Sequence, residues 1–328
     1  MNWISGIRIA LAALICASTQ LQAAEPATVR VGILQFGTVS WELEVMEREG
    51  FAKREGIRLE IVPLALKDAT NVAIQGEAVD IIVNDWIWVA RQRAEGRDFT
   101  FVPYSMAVGG VMVRPDSGVH TLADLRGKRL GVAGGPLNKS WLLLRAYARR
   151  TVGEDAATLV KVDFAAPPLL NELVLRGELS AALNYWHYGA RLKAAGLHEM
   201  LSMDEILAGL GVNAELPLVG WVFREGWARQ NRGTVSAFLR ASAAAKAHMR
   251  ESDEVWTTLR PLMRVEDDAT FIALRDGFRA GIPAATMGEA EQTARQVFDI
   301  LATEGGKALV GDAKTIAEGT FWRKGTDR

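Results

Sequence analysis

The chain has 328 residues, of which 49% are apolar and 23% are charged, and its formal net charge is −1. These values are typical of a folded protein large enough for one or two domains, and they exclude a disordered chain. The nearly neutral charge gives no reason to expect a nucleic acid or an anionic membrane surface as a partner.

Residues 1–24 are predicted to be a cleavable signal peptide. Arg8 precedes an apolar run over residues 9–18, and small residues follow before the first acidic residue, Glu25. This order of regions directs secretion, with cleavage expected after Ala23 or Ala24, and it indicates a periplasmic protein. Cleavage would remove Arg8 and the only cysteine, Cys16, so the mature chain would have a net charge of −2 and no thiol. A disulfide, a thiolate nucleophile and a thiolate metal ligand are then excluded.

The mature chain begins with strands and helices in alternation. Strands are predicted over 29–34, 58–64, 78–85 and 99–105, with helices over 41–56, 68–77 and 86–96 between them. The first of these helices is expected to end at Gly50 or at Gly56. Asp68 is the predicted N-cap of the second helix. Strands that alternate with helices of this length indicate βαβ units and a mainly parallel sheet.

A similar pattern then starts again. It predicts strands over 110–115, 128–134, 157–164 and 179–186, and helices over 121–127, 140–152, 167–178 and 187–196. One more strand, 216–225, precedes a nearly all-helical remainder in which 234–252 is the clearest element. We therefore expect an α/β fold of two lobes, each with a mainly parallel sheet and flanking helices. Residues 25–108 and 216–328 would form a discontinuous first lobe and 109–215 the second, with hinge crossings near 105–110 and 213–218.

Four loops follow strands at the positions where open α/β sheets bind ligands, beyond the carboxyl ends of the strands. They span 37–41, 84–86, 134–141 and 184–188, and each contains a tryptophan. One such tryptophan would be a core residue, but several suggest a stacking wall for a flat or apolar ligand. The third loop opens a helix with one lysine and one hydroxyl, which suits a carboxylate, sulfonate or phosphate. A plain turn capped by Asn138 or Ser140, with Lys139 in solvent, fits the local sequence equally well.

Motifs of enzymes and metal centres are missing from the sequence. The glycines near 131–140 and 304–308 do not have the spacing of a nucleotide-binding loop, and the four histidines are scattered. His187 is interpreted as a hydrogen-bonding wall residue, and Asp80 as a structural residue. Asp85 is either the N-cap of a helix or a contact for a cationic or amide group of the ligand. We expect no catalytic residue, no cofactor and no metal.

The segments 29–64, 76–85 and 112–135 resemble periplasmic substrate-binding proteins of the nitrate/sulfonate/taurine class of ABC importers, and the likeness extends over about 29–250. The resemblance implies a type II-like, two-lobed fold that closes over one solute. It also implies a monomer that delivers this solute to permease and ATPase subunits in the inner membrane. An enzyme on the same fold, of the pyrimidine-precursor synthase or menaquinone-pathway type, and a periplasmic solute sensor are the alternatives.

Carried over position by position, the resemblance places ligand contacts on residues 37–40, on 84–86 and on 138–141. Trp186 matches the family's later loop, where His187 and Tyr188 replace the other two residues. The expected solute is a small organic anion or an aromatic or heterocyclic compound of the sulfonate, taurine or pyrimidine-precursor type. The departures favour a bulkier or aromatic ligand, such as an aromatic sulfonate or a pyrimidine-type precursor. The complete set of predicted ligand-binding residues is Gly37, Thr38, Ser40, Trp41, Asn84, Asp85, Trp86, Asn138, Lys139, Ser140, Trp141, Asn184, Tyr185, Trp186 and His187.

Overall fold

A computed structural model of the protein describes residues 25–212 and 214–323. The predicted signal peptide and Cys16 lie outside these residues. Among the helices that are described, none combines the length and the apolar character that a membrane crossing needs.

The described residues form ten strands, which we number in chain order: β1 (Ala27–Leu34), β2 (Ile57–Leu64), β3 (Ile81–Asp85), β4 (Phe99–Ser105), β5 (Val111–Val113), β6 (Arg129–Ala133), β7 (Lys161–Ala165), β8 (Ala181–Leu183), β9 (His198–Leu201) and β10 (Val219–Arg224). In the first half of the described chain the helices are α1 (Val39–Arg48), α2 (Phe51–Arg54), α3 (Lys67–Gln75), α4 (Trp86–Ala94), α5 (Lys139–Thr151), α6 (Ala156–Leu159) and α7 (Pro167–Leu175). The later helices are α8 (Trp186–Ala194), α9 (Met203–Gly209), α10 (Glu225–Gln230), α11 (Arg232–Glu251), α12 (Glu254–Met263), α13 (Asp268–Ala280) and α14 (Met287–Val310). Short 3-10 helices cover Pro115–Ser117 and Leu122–Leu125.

Two five-stranded sheets have the same topology. The strand orders are β2-β1-β3-β10-β4 and β7-β6-β8-β5-β9. In each sheet the fourth strand, β10 or β5, runs antiparallel to both of its neighbours, and the other four strands share one direction. The expected α/β architecture with two mainly parallel sheets is therefore confirmed, and each sheet contains one reversed strand.

The two sheets carry a structural repeat at a spacing of one hundred residues. Helices α3 and α4 begin at Lys67 and Trp86, and α7 and α8 begin at Pro167 and Trp186. The turn after each first helix has the same backbone bond, Ala78 N to Ala73 O and Glu178 N to Leu173 O, both 2.9 Å. The residue before the donor has a positive φ in both turns, 58° at Glu77 and 78° at Gly177. Corresponding helices and turns therefore follow equivalent strands in the two sheets.

The helices after β10 contact both sheets. Helices α11 and α12 pack on α1, whereas α13 packs on α8 and α14 packs on both α4 and α5. Close approach of α13 to α8 depends on Gly277, because a Cβ there would lie 3.0 Å from Cζ3 of Trp186. Arg145 and Arg149 of α5 form ion pairs with Glu304 of α14. The C-terminal helices thus tie the second sheet to the first.

Several sequence predictions were wrong in detail. The predicted end of the first helix at Gly56 is wrong and the alternative end at Gly50 is confirmed, because Gly50 adopts φ 71° and separates α1 from α2. Leu66, and not Asp68, is the N-cap of α3. Within the strand predicted over 157–164, the first residues belong to α6, since Asp155 accepts a hydrogen bond from Ala157 N at 2.9 Å and starts a helical turn. Strand β9 and helix α9 were not predicted.

Candidate functional site

The carboxyl ends of the two sheets meet at an ionic cluster formed by Lys67, Asp85 and Lys139. Asp85 is the last residue of β3, Lys67 is the first residue of α3, and Lys139 is the first residue of α5. Asp85 Oδ2 accepts a hydrogen bond from Lys67 Nζ and another from Lys139 Nζ, both at 2.7 Å. The lysines therefore approach one carboxylate oxygen from different sheets. We call these three residues the lysine–aspartate cluster.

The second oxygen of Asp85 has a structural role. Oδ1 accepts a hydrogen bond from Trp88 N at 2.8 Å and caps α4. The N-cap interpretation of Asp85 is thus confirmed. Its other oxygen, Oδ2, accepts hydrogen bonds from the ammonium groups of Lys67 and Lys139.

Burial decreases from the aspartate to the lysines. The exposed fractions of the side chains are 5% for Asp85, 22% for Lys139 and 48% for Lys67. Burial opposes ionisation of Asp85, but the charges of Lys139 and Lys67 outweigh it and hold the pKa of this carboxyl well below its usual range. Two ammonium groups share this one carboxylate, so the cluster carries an excess of positive charge.

The pKa values of the two lysines are shifted in opposite directions. Burial lowers the pKa of Lys139; the charge of Lys67 adds to this effect, and Asp85 opposes it. At Lys67 burial also acts against the charged form, but Asp85 outweighs it and raises the pKa, with a smaller contribution from Tyr185. The lysine from the second sheet is thus the one that loses its proton more readily.

Asn84 and Asn184 occupy equivalent places at the ends of β3 and β8. Asn84 Oδ1 accepts a hydrogen bond from Asp85 N, and Asn184 Oδ1 accepts one from Tyr185 N, each at 2.8 Å. Each donates from Nδ2 to an asparagine thirteen residues earlier, Asn71 or Asn171, at 2.6 and 2.9 Å. Both side chains are buried. These described bonds hold the loops in place within each lobe, and ligand contact by the two residues stays a prediction.

The tryptophans of the four loops are mostly core residues. Trp41, Trp86 and Trp141 are buried, and Trp186 is partly buried, with its ring 6.1 Å from Trp41. Trp88 packs at 5.0 Å from Phe99. The three buried rings offer no exposed face for stacking in this structure. An exposed aromatic face is instead available at Tyr185, which is 43% exposed.

Tyr185 and His187 begin the fourth loop's helix. The Tyr185 hydroxyl lies 3.3 Å from where a Cβ would stand on Gly134, so the third and fourth loops are adjacent. The His187 ring stacks at 6.3 Å from that of Tyr185, and its Nδ1 is buried without a hydrogen-bond partner among the described residues. Burial and the charge of Arg191 lower the pKa of His187 to about 4. His187 is therefore neutral near pH 7.

The remaining predicted contacts lie in the first and third loops. Asn138 caps α5, because its Oδ1 accepts from Trp141 N at 3.1 Å and its Nδ2 donates to Ala133 O at 3.0 Å. Ser140 is buried behind it. In the first loop, Ser40 Oγ donates to Gly37 O at 3.1 Å, and Thr38 is the N-cap of α1 without a side-chain cap bond. The asparagine cap was foreseen as one possibility, but Lys139 is not left in solvent.

Exposed apolar side chains surround the ends of the strands in both lobes. They form what we call the apolar rim: Leu34, Phe36, Leu66, Leu137, Phe164 and Leu169. Each lies at the carboxyl end of a strand, in the loop that follows the strand, or in the first turn of the next helix. Apolar side chains are therefore exposed at the carboxyl ends of strands, and the lysine–aspartate cluster lies at such an end as well.

Lys67 was missed by sequence reasoning. It follows β2, whose loop was not among the four considered, and a single lysine in a first helical turn usually lies in solvent. Its counterpart at the equivalent position of the repeat is Pro167, so the repeat would not have identified it either.

A separate cavity of about 480 Å³ lies beside β4, α10 and α14. Its lining contains Arg93 and Arg229, which both pair with Glu225, and Arg295 and Arg323, which both pair with Glu291. The lining holds these four arginines and three glutamates, so it keeps an excess of one positive charge. In the described parts of the chain no group of three or more His, Cys, Asp or Glu side chains could hold a metal ion.

The fold and the position of this site, at the facing ends of two sheets, define a two-lobed binding-protein architecture. A family model described as NMT1/THI5 like matches residues 42–254, which is more than half of the chain. The protein belongs to this family. A search of curated protein sequences gave no match.

Solved structures confirm the architecture. The periplasmic aliphatic sulphonate-binding protein SsuA from Escherichia coli is 17% identical, with a TM-score of 0.71 over 91% of this chain and 92% of that one. The alkanesulfonate-binding protein SsuA from Xanthomonas axonopodis pv. citri, bound to MOPS, is 16% identical, with a TM-score of 0.70 over 92% and 99%. The desulfurization enzyme DSZB is 16% identical, with a TM-score of 0.55 over 85% and 92%. At these identities the likeness establishes the fold.

Proposed function

We propose that this protein is the solute-binding component of an ABC importer and that it holds a small organic anion between its two lobes. The observation that carries the proposal is the convergence of Lys67 and Lys139, from different sheets, on one oxygen of Asp85. Each lysine can donate three hydrogen bonds, so donors remain for the acidic group of a solute. The names of the sulfonate-binding relatives support the same role.

The acidic group of the solute would lie against both lysines. Lys67 and Lys139 are each the first residue of a helix, so the N-terminal dipoles of α3 and α5 add to the positive potential. Tyr185 and the apolar rim would contact the body of the solute. An aromatic sulfonate or a pyrimidine-type acid satisfies both requirements.

We propose that residues 25–108 and 216–328 form one lobe and 109–215 the other. The chain passes from the first sheet to the second between β4 and β5, and it returns between β9 and β10. These passages would be the hinge. A solute that touches both lobes only when they are closed shifts the population toward closure by its difference in affinity.

The proposed partners are an inner-membrane permease and its ATPase, and the proposed location is the periplasm. Mass spectrometry of the protein from a periplasmic extract should find an N-terminus at Ala24 or Glu25 after export. An intact Met1 on the exported protein would contradict this part of the proposal.

The binding role is tested with the mature protein and a panel of monosulfonates, carboxylates and pyrimidines. A solute present at one hundred times its Kd should stabilise the protein by about 2.7 kcal/mol in a thermal-shift assay. Titration calorimetry of each hit against the Lys139→Met variant then locates the site. Stabilisation by solutes that is unchanged in this variant would contradict the location.

An enzyme on the same fold is the second candidate. The likeness to DSZB and the lowered pKa of Lys139 beside a second lysine favour it, because such a pairing can activate an amine as a nucleophile. Proton NMR of each hit after prolonged incubation with the protein distinguishes the two. New signals from a product that forms in molar excess over the protein would establish an enzyme.

A further inference from the structure

We propose that Asp85 sets the charge of the solute that this site accepts, by acting as a built-in anion that competes for the two lysines. This inference rests on the proposed function, since it concerns the same site. It predicts that solutes with one negative charge bind and that solutes of the same shape with two negative charges are rejected.

The geometry places Asp85 where a solute's acidic group would have to bind. Its Oδ2 lies 2.7 Å from both ammonium nitrogens, so it occupies the point at which Lys67 and Lys139 converge. A solute anion must therefore share the lysines with this carboxylate. The side chain of Asp85 has little freedom to move away, because Oδ1 is fixed by Trp88 N and only 5% of the side chain is exposed.

The charge balance then decides which anions fit. Two ammonium groups and one carboxylate leave a single positive charge, which one negative charge on a solute neutralises. A second negative charge would lie close to the buried carboxylate without a cation to balance it, and like charges in contact are strongly unfavourable. Tyr185, which also lies near Lys67, has no group that can become a cation and does not supply the missing charge.

The Asp85→Asn variant isolates this effect. Asparagine keeps an oxygen for the cap on Trp88 N and is as good an N-cap as aspartate, so the start of α4 is preserved. The change removes the negative charge together with the acceptor that Oδ2 offers to the lysines, and it leaves both lysines available to the solute. Asp85→Ser, which also caps helices, provides a second variant if the first folds poorly.

The probes are benzenesulfonate and phenylphosphonate, at a pH where the phosphonate carries two negative charges. They share the phenyl ring and three terminal oxygens and differ in charge. For the original protein we expect calorimetry to give at least about tenfold tighter binding of benzenesulfonate, a difference of about 1.4 kcal/mol. In Asp85→Asn the preference for benzenesulfonate should fall by at least about tenfold. The fall should come mainly from a higher affinity for phenylphosphonate.

Asp312→Asn is the matched control, because Asp312 is an exposed residue that pairs with Lys307 far along the chain from the cluster. It changes the net charge by the same amount and should leave the preference unchanged. Equal binding of both probes by the original protein would overturn the proposal. A preference that persists in Asp85→Asn and Asp85→Ser would overturn it as well.

The outcomes separate this inference from the proposed function. If benzenesulfonate binds and Lys139→Met weakens it, the anion site stands, and an unchanged preference in the Asp85 variants then removes only the charge rule. If neither probe binds the original protein or Asp85→Asn, both the anion site and the charge rule are wrong.

Discussion

Lys139 Nζ lies 2.7 Å from Asp85 Oδ2, and this hydrogen bond joins the first residue of α5 to the last residue of β3. The two residues belong to different sheets, so the bond connects the lobes at the place where a solute would bind. Lys67 donates to the same oxygen from α3, which lies between β2 and β3 of the sheet that contains Asp85. Lys139 is therefore the member of the cluster whose contact depends on the lobes being together.

Replacing Lys139 with methionine should weaken the binding of an anionic solute by tenfold or more. Methionine keeps the length of the side chain and removes its charge, and a hydrogen bond to a charged group contributes about 1.5–3 kcal/mol. Titration calorimetry with the best solute of the panel measures the effect. Lys307→Met, at an exposed lysine, is the control. Equal affinity in both variants would mean that Lys139 does not contact the solute.

The asparagine pairs should stabilise each lobe separately. Asn184→Ala removes the acceptor of Tyr185 N and the donor to Asn171 Oδ1, which costs about 1–3 kcal/mol in the free energy of unfolding. Asn84→Ala should have a similar effect through Asn71 and Asp85 N. Urea denaturation should show coupling between the Asn171 and Asn184 replacements and simple additivity between Asn84 and Asn184. Strong coupling between Asn84 and Asn184 would contradict separate roles.

Most of the strands could be predicted because their apolar runs are bounded by turns, and β4 has the predicted bounds 99–105. Strand β9 was not found, since an exposed His198 and a length of four residues give no alternation to detect. The first residues of 157–164 have a strand-like composition, but a local hydrogen bond to Asp155 decides for a helix. Aspartate is a preferred N-cap residue, so the signal for this helix was present in the local sequence and was overlooked.

The site was predicted less completely than the fold. The loops at the strand ends and the lysine at 139 were located, because topology alone brings these loops to one edge. Burial of Trp41 could not be foreseen, since it depends on distant helices: Trp256 of α12 and Phe278 of α13 pack on its ring. Lys67 was missed for the same reason: only the folded chain shows which carboxylate it meets.

His187 should make stability depend on pH below neutrality. Its pKa is about 4 in the folded protein and about 6.5 in the unfolded chain, so the unfolded state binds the proton first. The stability present above about pH 6.5 is therefore lost as the pH falls toward 4, by up to about 3 kcal/mol.

The His187→Phe variant should lose this part of the pH dependence while keeping the ring. Its difference in unfolding free energy between pH 7 and pH 4.5, measured by urea denaturation, should be smaller than that of the original protein. His120→Phe, at an exposed histidine, controls for the loss of an imidazole. An identical pH profile for His187→Phe would contradict a buried neutral histidine.

A buried ion pair inside the first lobe should be sensitive to the loss of one partner. Lys246 pairs with Glu42, whose side chain is fully buried, and its Nζ lies 3.9 Å from the centroid of the Tyr104 ring. Lys246→Met leaves Glu42 without its cation and should cost about 3–5 kcal/mol of unfolding free energy. The double variant Glu42→Gln with Lys246→Met should recover much of this loss in urea denaturation. No recovery would mean that packing, and not the charge, explains the effect.

The interleaved strand order has a consequence for the order in which the lobes are completed. The second sheet uses only residues between Val111 and Leu201, so it is complete once that stretch has been synthesised. In the first sheet β4 pairs with β10, which begins at Val219. During synthesis β4 waits, unpaired, until well over one hundred further residues have been added. A nascent chain that ends before Val219 therefore has a complete second sheet and an incomplete first sheet.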